Sequence, residues 1–257
     1  MLILITNDDG IYAKGILALY QELQNLGEVI VVAPERERSA VGHAITISDP
    51  LRVWQVERGG KFFGYAVNGT PADCVKLAVN ALLEVKPDIL ISGINHGPNT
   101  GTNVIYSGTV SAATEGTILG IPSIAVSLDA SHAENPDFSY AAKFTHKLAV
   151  KVMEEGLPKG TTLNVNIPYL PEDQIKGVAI TRQGSLKFTD TFQMRTDPRN
   201  RLYYWLTGEK IEVEPNGEEE EIDHLVLRQH KISITPLQYD LTDYKLLEEL
   251  KKWDFDL

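Results

Sequence analysis

The opening stretch constrains this chain more than any other. Leu2-Ile3-Leu4-Ile5-Thr6 is an apolar run that ends in Asn7-Asp8-Asp9-Gly10. So short a continuous apolar segment, closed by polar residues and a glycine, reads as a strand buried on both faces, the usual state of a central parallel strand. Asp8 and Asp9 then fall at its carboxyl end, where open α/β sheets place their ligands. Adjacent carboxylates raise each other's pKa, and a hard cation that takes oxygen ligands removes that cost. Asp and Gly are equally at home in a turn leading to a helix N-cap. The nine residues alone leave both readings open.

The rest of the pattern alternates helix and strand. Ile16, Leu19, Tyr20, Leu23 and Leu26 recur at helical spacing, Gly27 stops them, and Glu28 to Ala33 is a second buried strand ended by Pro34. Ile45 to Ser48, Leu51 to Glu57 and Lys61 to Val67 read as short strands, with Gly59-Gly60 a hairpin turn. Residues 45–67 are thus expected to form a β insertion beside the sheet. Pro71 opens a helix. Ile89 to Ser92 is a third buried strand, followed by a glycine-rich loop from Gly93 to Gly101. A helix entered at Ser107-Gly108-Thr109, a strand over Ile121 to Leu128, a helix over 139–155 and a strand over Leu163 to Ile167 complete the series. This order predicts an α/β fold with a doubly wound, mostly parallel, Rossmann-like sheet.

Beyond about residue 176 the pattern loosens. Val178 to Arg182, Leu202 to Leu206, Lys210 to Val213 and Ile232 to Thr235 read as strands, with a polar stretch from Ser185 to Asn200. Glu218 to Glu221 is an acidic run expected to be a solvated loop. Leu246, Leu247, Leu250 and Trp253 make an amphipathic closing helix. The expected organisation is a Rossmann-like core over 1–175 and a β-rich and helical segment over 176–257 that is not an independent domain and whose loose pattern suits embracing a partner subunit.

Charge and cysteine usage exclude several classes. A net charge of −11 over 257 residues argues against a duplex nucleic-acid binder, which needs a basic face. It leaves room for a small anion, because a bound cation reverses the local sign. Cys74 is the only cysteine, so no internal disulfide forms and a reducing compartment fits. The N-terminus reads as a strand rather than a signal peptide, and no apolar run approaches the roughly 20 residues of a membrane span. A cytoplasmic location is expected.

Three loops leave three expected parallel strands at one sheet edge, carrying Asp8 and Asp9, then Ser39, then Asn95. Two carboxylates, a hydroxyl and an amide oxygen suit Mg²⁺, Mn²⁺ or Ca²⁺ rather than Zn²⁺. Ser107-Gly108-Thr109 offers hydroxyls and unpaired N–H groups at a helix start, which is an anion site or an ordinary Ser cap. A cation site and an anion site at one edge together suit a phosphate ester. His43 and His96 lie in the same loops as auxiliary candidates for proton transfer or orientation. No glycine-rich loop is followed by the lysine of a Walker motif. The first turn carries carboxylates where a dinucleotide fold accepts pyrophosphate.

At this point the chain resembles the survival protein SurE family of metal-dependent nucleotidases. Asn7-Asp8-Asp9-Gly10 and Pro34-Glu35-Arg36-Glu37-Arg38-Ser39-Ala40 match its first two motifs. Asn68-Gly69-Thr70-Pro71-Ala72-Asp73-Cys74-Val75, Ser92-Gly93-Ile94-Asn95-His96-Gly97 and Tyr106-Ser107-Gly108-Thr109-Val110 match the next three, and Ile232-Ser233-Ile234-Thr235-Pro236-Leu237 resembles its C-terminal signature. The family often has a Gly-aromatic pair just before that signature, where His230-Lys231 stand here. The resemblance implies that Asp8, Asp9, Ser39 and Asn95 are metal ligands. It also implies that Ser107, Gly108 and Thr109 bind phosphate, and that the protein forms a homodimer or homotetramer through an exchanged C-terminal segment.

The reading that follows is a phosphoric monoester hydrolase of the 5′-nucleotidase type, acting on nucleoside 5′-monophosphates and by extension 3′-monophosphates. One Mg²⁺ or Mn²⁺ per subunit is expected. Asp8 orients or deprotonates the attacking water, and Asn95 and residues 107–109 hold the phosphate. Two rival readings are a non-catalytic sensor of nucleotide and metal, and a structural oligomer whose acidic loops are merely solvated.

Overall fold

The computed structural model describes residues 1–185, 187–211 and 221–255. Its elements are β1 (Leu2–Thr6), α1 (Lys14–Leu23), β2 (Glu28–Pro34), β3 (Val53–Arg58), β4 (Lys61–Val67), α2 (Pro71–Leu77), β5 (Ile89–His96), α3 (Gly108–Ile118), β6 (Ser123–Asp129), α4 (Ser139–Glu155), β7 (Thr161–Pro168), β8 (Val178–Ile180), β9 (Lys187–Thr196), β10 (Leu202–Ile211), α5 (Asp223–Arg228), β11 (Ile232–Gln238) and α6 (Tyr244–Leu250). A nine-stranded sheet runs β3-β4-β2-β1-β5-β6-β7-β11-β8. The six strands from β4 to β7 in that order are parallel. β3 is antiparallel to β4, and β11 is antiparallel to β7.

The central strands read as unbroken apolar runs because both of their faces are buried. Ile3 and Ile5, Val31 and Ala33, Ile89 and Ile91, and Ile124 and Val126 pack into one core with α1 and α4. Leu4, Val32, Leu90 and Ala125 alternate with them into a second core against α2 and α3. Successive strand side chains point to opposite faces, so apolar residues are needed at consecutive positions. The doubly wound fold expected from the sequence is the one observed.

The topology fixes where a ligand can sit. From β1 the chain runs outward through β2 to β4, then returns to the other side of β1 and runs through β5 and β6 to β7. The direction of winding reverses between β1 and β5. A crevice opens at the carboxyl ends of the two strands flanking such a point.

Several local expectations are corrected. Residues 45–67 do not form an insertion beside the sheet: β4 pairs in parallel with β2 and the hairpin extends the sheet itself. Ile45 to Ser48 is not a strand; its backbone is tied instead by side chains, as described below. Gly59 and Gly60 do make the hairpin turn, both with positive φ. β5 runs on to His96, past the point where a loop was expected, with a register slip against β6 between Ser92 and Asn95. The polar stretch from Ser185 to Asn200 contains β9, which pairs antiparallel with β10 in a separate two-stranded ribbon. Pairing along a solvated ribbon needs no apolar alternation, which is why composition concealed it. The expected strands at 202–206 and 210–213 are one strand as far as Ile211. Helix α5 was not anticipated. Residues 212–220, with all but Glu221 of the acidic run, lie outside the described residues.

Candidate active site

A cavity of about 980 Å³ lies at the carboxyl ends of β1, β2 and β5. Asp8, Asp9, Ser39, Asn95, His96 and Ser107 all line it. Asp8 and Asp9 follow β1, Ser39 lies beyond β2, Asn95 and His96 end β5, and Ser107 caps α3; the three strands are neighbours in the order β2-β1-β5.

Asp8 is 6 % exposed and faces the start of α3. The Thr109 hydroxyl donates to Asp8 Oδ1. Burial pushes the Asp8 carboxyl above its ordinary value, and hydrogen bonds from Thr109 and from the backbone only partly offset this. Gly108 permits the approach. A Cβ at that position would lie 2.7 Å from Asp8 Cβ and 3.0 Å from its Oδ2, so only glycine lets the helix come this close.

Asp9 is held from the other side. Its Oδ2 accepts the His96 backbone N–H at 3.2 Å, joining the loop after β1 to the end of β5. Burial, followed by the Asp8 charge, raises the Asp9 carboxyl to about 6. The Asn95 side-chain Nδ2 donates to Gly97 O at 2.7 Å, which commits the nitrogen of the amide and distinguishes it from the oxygen. Gly93, with φ +140°, allows β5 to break before Asn95; a Cβ there would meet Val126 O at 2.3 Å.

Ser39 lies beyond the exit of β2, its hydroxyl donating to Glu37 Oε1. The Arg38 backbone N–H donates to Asp8 O at 2.7 Å and sets this loop against the first. Glu37 also lines the cavity and was not singled out from the sequence, although it sits in the charged run 35–39. Its charge adds to the upward push on both aspartates.

The donor chemistry fits a hard divalent ion. Two crowded carboxylates, one of them raised to about 6, meet a hydroxyl and an amide oxygen in one cavity. Among the described residues no group of three or more His, Cys, Asp and Glu side chains could hold a metal. The donors that do line the cavity, two carboxylates, a hydroxyl and an amide, are an oxygen set.

Of the expected phosphate-binding residues, Ser107 lines the cavity and caps α3, its Oγ accepting the Val110 N–H at 3.1 Å. Thr109 is fully buried, with its hydroxyl committed to Asp8. Gly108 packs beneath Asp8. The two histidines separate. His96 borders the cavity, with Nε2 donating to Ala130 O at 2.8 Å. His43 is not among the lining residues, and its Nε2 meets Glu115 Oε2 at 2.8 Å.

The remaining wall was not legible beforehand. Asn99 lies on it, held by Asn164 Nδ2 and Asn166 Nδ2 donating to its carbonyl at 2.8 and 3.0 Å. Tyr106 and Leu206 complete it. Leu206 arrives on β10, about a hundred residues beyond Tyr106 in sequence, and no local signal marks it.

Residues 3–190 match the family model described as Survival protein SurE. A 5′-nucleotidase SurE of Syntrophobacter fumaroxidans is 52% identical over 254 residues, covering 99% of this chain and 100% of that protein. A 5′-nucleotidase SurE of Moorella thermoacetica is 55% identical over 251 residues, covering 97% of this chain and 95% of that one. The crystal structure of a SurE protein from Aquifex aeolicus superposes with a TM-score of 0.83 at 43% identity, covering 98% of each chain.

Proposed function

The chain belongs to the survival protein SurE family, and from that premise we propose that it is a divalent-metal-dependent 5′-nucleotidase. It hydrolyses nucleoside monophosphates to nucleoside and phosphate. The observation that carries this reading is the paired Asp8 and Asp9 at the winding reversal, opposite the N-terminus of α3 and inside one cavity with Ser39 and Asn95. Relatives over nearly the whole chain are named as enzymes, which disfavours the sensor and structural-oligomer readings.

Asp8, Asp9, Ser39 and Asn95 would hold one Mg²⁺ or Mn²⁺. When bound, the ion supplies positive charge against the phosphate oxygens and acidifies water. The chain's own groups do the remainder. Asp8, with one oxygen anchored by Thr109, keeps the other to orient or deprotonate the attacking water. The N-terminal end of α3 and the Ser107 hydroxyl would oppose the developing negative charge, as helix N-termini do, although the Val110 N–H is committed to Ser107 Oγ and the Thr109 N–H to Asp8. Asn95 adds a polar contact to the phosphate. His96, fixed through Ala130, keeps the Asp9 carboxylate in place through its backbone N–H. The wall of Tyr106 and Leu206 gives the apolar surface a nucleoside needs.

Self-association as a homodimer or homotetramer belongs to the same proposal. It is supported by exposed Phe192, Trp205 and Leu206 on the β9–β10 ribbon, since a two-stranded ribbon is marginal alone. No helix among the described residues is long and apolar enough to cross a membrane.

The test is metal removal and return. Protein stripped with a chelator releases no phosphate from AMP, and Mg²⁺ or Mn²⁺ restores release, with AMP preferred over a generic aryl phosphate. Saturable AMP binding without phosphate release would return the sensor reading.

A further inference from the structure

Ser39 reaches the cavity from residues 35–52, a stretch with no helix or strand of its own. Directly after it, Ala40 has φ +55°, a left-handed conformation that a residue with a Cβ disfavours. Such a turn persists only where its surroundings hold it. Before it, the Arg38 N–H donates to Asp8 O; after it, the contacts come from α2, α3 and the segments leading into them. The Gly42 N–H donates to Tyr106 O at 3.0 Å. Thr46 donates to Asp73 through its backbone N–H at 2.9 Å and its hydroxyl at 2.6 Å, and the Thr70 hydroxyl donates to Ala44 O at 2.7 Å. Between them His43 Nε2 meets Glu115 Oε2 at 2.8 Å.

Glu115 is the unusual member. It sits in α3 with its side chain 4 % exposed, bonded to His43 and, through its other oxygen, to Lys76 Nζ at 2.9 Å. Burial alone would push this carboxyl up, but the hydrogen bonds from His43 and Lys76 outweigh it and leave it below its ordinary value. A buried carboxylate stripped of a partner is strongly unfavourable. The helix that begins at Ser107 therefore carries, two turns later, a charge that draws the Ser39 loop down onto it. Neither His43 nor Glu115 lines the cavity.

We propose that His43 and Glu115 are positioning residues: their contact docks the 39–46 loop on α3 so that Ser39 faces Asp8 and Asp9, and it thereby sets how tightly the site holds its divalent ion. This rests on the reading that Ser39 belongs to the ion's donor set.

The test titrates Mn²⁺ into metal-free full-length protein, reads free Mn²⁺ by electron paramagnetic resonance, and follows AMP hydrolysis against Mn²⁺ concentration in parallel. The variants are His43→Ala, His43→Gln, Ser39→Ala and the double variant His43→Ala with Ser39→Ala, each checked by thermal melting. His43→Ala weakens Mn²⁺ binding about tenfold, the lower end for removing a group that orients a metal ligand. Its maximal rate at saturating Mn²⁺ stays within about twofold of the parent, because only ground-state organisation is lost. His43→Gln keeps a donor for Glu115 and restores most of the affinity. Adding His43→Ala to Ser39→Ala costs nothing further, as expected when one residue acts through the other. Unchanged Mn²⁺ binding in His43→Ala, or losses that multiply in the double variant, overturns the proposal while leaving Ser39 a donor. Ser39→Ala with parental Mn²⁺ binding removes Ser39 from the donor set, and the proposed route falls with it.

Discussion

The Thr109 hydroxyl donates to Asp8 Oδ1 across 101 residues of sequence, tying the tip of the first strand to the start of α3. The bond uses one oxygen of a buried carboxylate, while the other lies against Gly108. It also places a carboxylate against a helix N-terminus, where the macrodipole favours negative charge.

Replacing Asp8 by Asn keeps the Thr109 hydrogen bond and the shape but removes the base. Phosphate release from AMP is expected to fall by about 10²–10⁴, the range for a positioned general base. Because the Asp8 carboxyl is raised by burial, the metal-free variant melts no lower than the parent. Phosphate assays paired with melting curves check both halves; a folded variant with parental activity would remove Asp8 from the mechanism.

The metal-free protein is expected to lose stability as pH rises through about 6. The Asp9 carboxyl titrates from 3.8 in the unfolded chain and near 6 in the folded one, so its contribution is complete below 3.8 and is lost as pH climbs through the folded value. Asp8 is raised as well and acts with the same sign. Mn²⁺ reverses the trend, since the ion requires the ionised form, and its affinity drops below about pH 6. Urea unfolding between pH 4 and 8, with and without Mn²⁺, measures both slopes. Asp9→Asn should flatten the metal-free curve.

Asp223 is fully buried and accepts three backbone N–H groups, from Gly101 at 2.7 Å, His224 at 2.8 Å and Gly184 at 3.1 Å. It fastens the C-terminal segment to the loop that carries Asn99, Thr102 and Asn103 on the cavity wall. Asp223→Ala orphans these donors and is expected to cost about 3 kcal/mol by chemical denaturation. The KM for AMP should rise more than kcat falls, because the wall loosens while Asp8 and Asp9 keep their own anchors.

His230 has φ +63° immediately after α5, and its N–H donates to Leu227 O at 2.9 Å. This is the left-handed position that follows many helices and favours glycine. His230→Gly is expected to stabilise the protein by about 0.5–1 kcal/mol, the relief of left-handed strain exceeding the entropy gained by the unfolded chain. The shift is readable as a higher melting temperature with unchanged kcat.

The helix expected over 139–155 is the α4 observed, because a long amphipathic pattern can pack in only one way. The strands that precede Asp8 and Ser39 were equally legible, since Leu2 to Ile5 and Val29 to Ala33 are unbroken apolar runs. Asn95 was expected in a loop but sits on a broken extension of β5, a shift that depends on Gly93 approaching Val126. β9 escaped because its residues from Thr191 to Thr196 face solvent on a ribbon, where pairing rather than burial decides the conformation. Glu115 gave no sign of its role. Its position in a small-residue helix says nothing of the Lys76 ammonium it meets from α2 or the His43 imidazole it meets from the 39–46 loop.

The chain by itself determined which segments are buried on both faces and which polar groups stand at their ends, because burial is written residue by residue in the apolar pattern. Only the tertiary structure decided that winding reverses between β1 and β5, that α3 docks against Asp8, and that Leu206 closes the far wall. Those are relations between distant segments. They come from how two cores pack on opposite faces of one sheet, a contest of contacts that no local stretch encodes.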